Sequence, residues 1–225
     1  MTPVGPLGPS TPPGRPDAGP VGPPGWPSPS RPLMSPPSPS AGPGDWLGGR
    51  LFARRVVMLS GDIDNKSGDV IAQLLTMDAE GDDAIELYLD GSGEDVGAAL
   101  ALMDVIDMLG VEVHATLMGR AEGTAAGVLA VCPVRRMAPN ASVTLREPRF
   151  QFSAAARDVA TWSDYLARQL DSFVERLASA CRSDTGRVRA DLERVVILNA
   201  RQAVAYGLVD SVASQLRVVA GNSDS

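Results

Sequence analysis

Residues 119–148 read GRAEGTAAGVLAVCPVRRMAPNASVTLREP, and the fold turns on them. The stretch opens on small residues, Gly119 to Gly127, and runs into an apolar helical segment, Val128 to Cys132. It closes on a Pro139-Asn140 turn and the alternating strand Val143-Thr144-Leu145-Arg146, followed by Glu147-Pro148. Where a strand turns into a helix, small residues let backbone amides approach a bound group, and the helix N-terminus favours negative charge. Such a corner is where a hydrolase places a nucleophile and its oxyanion donors.

The flanking sequence repeats one pattern. Upstream, Arg55-Val56-Val57-Met58-Leu59 reads as a buried strand and Gly61 to Asn65 as a turn. A helix then sets Val70, Ile71, Leu74, Leu75 and Met77 on one face. Gly81-Asp82-Asp83 breaks it, Ile85 to Leu89 alternates as a strand, and Gly91-Ser92-Gly93 is expected as a loop. Ala98, Leu102, Val105 and Leu109 predict the next helix, and Val111 to Met118 a third strand. Strands alternating with helices across short Gly-rich loops form repeated right-handed crossovers, so the fold is α/β with a largely parallel sheet.

Downstream, residues 154–182 read as one long helix. Val159, Trp162, Leu166, Leu170, Phe173 and Leu177 step by three or four throughout. A stripe that long needs a partner surface along its whole length, either another chain or its own domain. After Asp184-Thr185-Gly186 come a short helix, Val188 to Arg194, an apolar run, Val195 to Leu198, and a last helix starting near Asn199.

Composition bounds the rest. Sixteen of the nineteen prolines fall in residues 1–43, so residues 1–44 are expected to form a disordered, partly polyproline tail. The folded domain is expected over 45–218, with a flexible end over 219–225. A net charge of −7 argues against nucleic acid or an anionic membrane surface as the main partner. The longest apolar run, Ala125 to Cys132, is too short to span a bilayer, and the first residues lack the regions of a secretory signal. Cys132 and Cys181 suggest no disulfide framework, which points to the cytoplasm. No dinucleotide loop, Walker motif or zinc ligand set is legible, so no cofactor and no metal is expected.

The layout resembles the proteolytic subunit of the ATP-dependent Clp protease, a serine peptidase family, from about Leu51 to Val212. That family reads Gly-Gln-Ala-Ala-Ser-Met-Gly-Ala where this chain has Gly119 to Ala126, and His-Gln-Pro where it has Arg146-Glu147-Pro148. Ala203-Val204-Ala205-Tyr206-Gly207-Leu208-Val209-Asp210 is close to its Glu-Ala-Val-Glu-Tyr-Gly-Leu-Ile-Asp ending. The resemblance implies the spiral architecture shared with crotonases, a handle helix over about 154–182 that interdigitates between stacked rings, homo- or hetero-oligomers with Clp peptidase paralogues, and an ATP-dependent unfoldase as partner. It puts Gly123 at the serine position, Arg146 at the histidine position and Asp191 at the aspartate position. Gly93, Glu94 and Thr124 then occupy the oxyanion-hole region.

Acyl-transfer hydrolysis needs a nucleophile, a base, a group that orients the base, and oxyanion donors. Gly123 has no side chain, and Arg146 stays protonated and offers no acceptor atom. One step along a helix turns Thr124 away from the serine direction. Lys66 is remote, Ser92 has only Glu94 and Asp95 near it, and Ser142 merely opens a strand. The single histidine, His114, is either a relocated base or a satisfied residue near the sheet. Glu94, Asp95 and Glu122 crowd the oxyanion region with negative charge. Arg146 is therefore expected to contact Asp191, Glu122 or Glu94, the alternative being a plain surface arginine. A catalytically silent ring subunit is the favoured reading. An active ATP-dependent serine endopeptidase and a crotonase-like acyl-binding module are its alternatives.

Overall fold

The computed structural model describes residues 43–150 and 155–214. The expectations for residues 1–42 and for 219–225 lie outside the described residues. The first helix, α1 (Pro43–Phe52), begins two residues inside the stretch expected to be tail. Proline is tolerated in a first helical turn, where its missing donor has no intrahelical partner to lose.

The parallel crossovers are as expected. Strand β1 (Val56–Asp62), helix α2 (Ser67–Glu80), strand β2 (Ile85–Gly93), helix α3 (Val96–Met108) and strand β3 (Val113–Gly123) run in order into helix α4 (Thr124–Val131). Strands β4 (Val134–Met137) and β5 (Ser142–Leu145) follow, then α5 (Val159–Ala180), α6 (Thr185–Glu193), β6 (Val196–Asn199), α7 (Ala200–Tyr206) and β7 (Ser211–Val212). The sheet order is β1-β2-β3-β4-β7, with parallel pairing throughout that path. β3 is long enough to serve two partners, pairing through His114–Leu117 with β4 and through Arg120–Glu122 with β5. β6 then closes antiparallel on β5.

Two expectations change. Gly91-Ser92-Gly93 is not a loop but the end of β2, and β3 runs past Met118 to Gly123. Glycine here admits close neighbours, since a Cβ at Gly91 would lie 2.4 Å from the Gly61 carbonyl oxygen. In α3 the buried face is Val96, Ala99, Leu102, Met103 and Ile106, sharing only Leu102 with the expected stripe. That helix is apolar nearly all round, so periodicity alone does not choose its inner face.

The long helix also differs. A short 3-10 turn (Ala156–Asp158) precedes α5, and the apolar stripe divides. Leu170, Phe173 and Leu177 are buried against the chain's own core, with the Phe173 ring seated on Gly127. Val159, Trp162 and Tyr165 are 43%, 48% and 42% exposed, and Leu166 is half-buried. Trp162 and Tyr165 meet edge to face at 5.8 Å.

One arginine ties the far ends of three helices together. Arg135 Nη1 donates to the carbonyls of Ala130 (3.2 Å), Ala180 (3.2 Å) and Gly207 (3.0 Å), where α4, α5 and α7 end. Its Nη2 pairs with Asp210 at 2.5 Å, and its Nε and backbone amide also donate to that carboxylate. Helix-end carbonyls lack intrahelical donors, and the two hydrogens of this Nη1 are shared among the three. Among the described residues no helix is long and apolar enough to cross a membrane.

Candidate functional site

In parallel α/β sheets, ligands bind beyond the carboxyl ends of the strands. Here those ends bring together Asp64 after β1, Gly93 at the close of β2 and Glu94 after it, Gly123 at the close of β3, and Arg146 after β5. Gly123 has φ 59° and ψ −124°, a sharp strand-to-helix corner of the kind that displays a nucleophile. The corner is built, but nothing projects from it. A Cβ at Gly123 would lie 2.4 Å from the Gly93 carbonyl oxygen and 3.6 Å from the Arg146 guanidinium. Gly123 and Arg146 therefore do sit side by side. Thr124 is fully buried, packs against Gly93, and its hydroxyl has no hydrogen-bond partner among the described residues.

Of the three acids expected near Arg146, Glu94 holds it, with Nη2 and Oε1 2.5 Å apart. That hydrogen bond is the main reason the guanidinium pKa is raised, burial opposing it and the charges of Glu94 and Glu122 adding to it. The other Glu94 oxygen accepts the Arg149 backbone amide at 2.7 Å. Burial pushes the Glu94 carboxyl up, but Arg146 and the Arg149 amide outweigh it and hold the group below its ordinary range. Arg146 is no free surface residue.

The backbone amides that follow β2 are occupied from within. Asp64 Oδ2 accepts the backbone amides of Glu94 (2.8 Å) and Asp95 (3.0 Å), while Asp95 caps α3 through the Ala98 amide. A carboxylate of the chain itself thus takes two backbone donors at the strand ends. Sequence reasoning passed over Asp64 as part of a turn. Its partners lie thirty residues away, and local spacing carries no sign of them.

Asp191 is not brought to Arg146. It is buried on α6, where Tyr206 donates to it at 2.8 Å, Arg187 approaches to 3.8 Å and Arg194 pairs with it. Burial, then the bond to Asp191, pushes the Tyr206 hydroxyl pKa strongly up. β5 and β6 end their pairing at Leu145 and Val196, one residue short of Arg146. His114 lies at the far end of β3, roughly 30 Å from Gly123 by strand rise, between Glu112 (2.9 Å) and Glu86 (3.4 Å). Lys66 donates to the Ser60 carbonyl. Cys132 and Cys181 are free and buried, and burial raises their thiols to about 12 and about 11. No cluster able to hold a metal ion occurs among the described residues.

Sheet, corner and strand-end site define an α/β protein built on a peptidase plan. The sequence matches the Clp protease family over residues 45–216. It is 33% identical to ATP-dependent Clp protease proteolytic subunit 2 of Streptomyces coelicolor, over 72% of this chain and 77% of that protein. It is 33% identical to proteolytic subunit 4 of Streptomyces avermitilis, over 73% and 75%. A Clp protease proteolytic subunit-like protein of Streptomyces coelicolor is 36% identical, over 72% and 80%. This chain belongs to the Clp protease family.

Proposed function

We propose that this chain is a catalytically silent, proteolytic-subunit-like ring component of an ATP-dependent protease. It would assemble alone or with active Clp peptidase paralogues and contribute architecture or an altered docking face. Any ATP requirement would belong to a partner unfoldase. One observation carries the reading: the corner residue Gly123 has no side chain, and its neighbour Arg146 is ion-paired to Glu94 rather than poised as a base. Acyl transfer has neither an attacking atom nor a proton acceptor there. The Thr124 hydroxyl is no substitute, being buried and without a base in contact.

The exposed Val159, Trp162 and Tyr165 on the first half of α5 support assembly, because that half finds no cover within the chain's own core. Membership of the Clp family over nearly the whole folded part weighs against the acyl-binding alternative.

Light scattering on the purified chain, alone and mixed with an active Clp peptidase from the same cell, tests this alongside fluorogenic-peptide cleavage. The expected result is a ring-sized particle, or incorporation into the partner's ring, with no cleavage by this chain alone. Cleavage by the chain alone, abolished in Thr124→Ala, would establish an active endopeptidase instead. A monomer that neither cleaves nor joins a ring would end the assembly reading.

A further inference from the structure

We propose that residues 216–219 of this chain add one further strand to the outer edge of β7 and close a cavity beside it. The cavity, of about 580 Å³, is lined by Pro139, Asn199, Ala200, Arg201 and Val212. These residues come from the loop after β4, the junction of β6 with α7, and β7 itself. Because β3 pairs first with β4 and then with β5, the sheet forks, and the lining residues belong to both branches. Apolar side chains around it are left uncovered. Val212 is 38% exposed, and so are Ile197 (66%), two residues before Asn199 on β6, and Val204 (36%), one turn along α7 from Ala200.

β7 is the last strand on its side of the sheet, and among the described residues nothing pairs with its outer edge. A bare edge presents unpaired main-chain donors and acceptors, and proteins ordinarily cover it. The described residues stop at Ser214, two past the end of β7, and Gln215-Leu216-Arg217-Val218-Val219-Ala220-Gly221-Asn222 comes next. Leu216 to Val219 has the composition of a strand, with two β-branched residues, and Gly221-Asn222 is a stop. A three-residue loop over Ala213 to Gln215 sets Leu216 across from Val212 in an antiparallel pair. Leu216 and Val218 then share the face of Val212 and cover the cavity, while Arg217 lies on the opposite face. The tether favours this occupant over any free partner. Leu216 is four residues from a side chain that lines the cavity, which holds it there at an effective concentration on the order of millimolar. A separate molecule would first have to lose its translational freedom.

Hydrogen exchange followed by mass spectrometry tests this on the full chain, with a synthetic peptide of residues 211–225 as the unstructured reference. The amides of 216–219 should exchange about tenfold or more slowly in the protein than in the peptide. Leu216→Asp, outside the core, should return them to the peptide's rate. Val212→Asp should do the same from the other side of the contact, and single-transition thermal melts show which variants are folded. Exchange at the peptide's rate in the unaltered chain overturns the proposal. Protection that survives Leu216→Asp in folded protein also overturns it, because the segment then rests elsewhere. Protection lost on dilution gives the cavity to the segment of a second copy, and overturns docking within one chain.

Discussion

Arg135 and Arg146 are both largely buried arginines paired with a carboxylate, their side chains 15% and 18% exposed, yet their surroundings are completed differently. Every nitrogen of the Arg135 guanidinium donates, to three helix-end carbonyls or to Asp210. Arg146 leaves Nη1 unpaired, with two more stranded polar atoms in the same cluster. A group whose task is to hold the fold together is satisfied by the fold. A group left partly unsatisfied in the interior marks a place where the fold alone does not supply the partner.

The largest effect should follow from cutting the finished hub. Arg135→Ala exposes Asp210 and three carbonyls to the loss of their donor, and should cost about 3–5 kcal/mol in urea unfolding. A loss no greater than that of the matching Arg146 variant would break the contrast. The hub should also be visible in pH. Burial raises the Asp210 carboxyl, but Arg135 outweighs it and the folded pKa is lowered, as it is for Glu94. A lowered folded pKa stabilises the protein above the unfolded value and loses that contribution as pH falls through the folded value. The urea midpoint of the unaltered chain should therefore drop as pH falls below about 4, and Arg135→Met should show the shallower drop.

Gly123→Ser comes next in size. The new Cβ meets the Gly93 carbonyl and a positive φ, so stability should fall by about 1–3 kcal/mol. No cleavage of a fluorogenic peptide should appear, because Arg146 remains in place of a base. Recovered cleavage would show that the cleft needs only its nucleophile. Arg146→Met, which removes an ion pair that is already incomplete, should change stability by about 1 kcal/mol or less. Smallest of all, Trp162→Ala should leave the unfolding midpoint within about 0.5 kcal/mol while weakening assembly seen by light scattering. A midpoint shift of the Arg135 size would mean that the first half of α5 packs on its own domain.

The sequence made the α/β order legible through alternating periods, and it named Glu94 only as one of three acids for Arg146, beside Glu122 and Asp191. Other features depend on distance along the chain. Asp64 reaches across thirty residues to the Glu94 amide, and the α3 inner face is chosen by its neighbours, not by its own uniformly apolar sequence. Gly91 reads as a loop former when in fact it permits close strand approach. Asp191 looked available for Arg146 because nothing local announces that Tyr206 and two arginines already hold it.

Val195, in the turn between α6 and β6, has φ 58°. The left-handed region is poor ground for a β-branched residue and suits short polar ones, above all asparagine and aspartate. The main chain at 195 therefore has a shape that suits a short polar residue and is occupied by one that fits it badly. Anyone seeking ruggedness in this chain would find the mould already cast there.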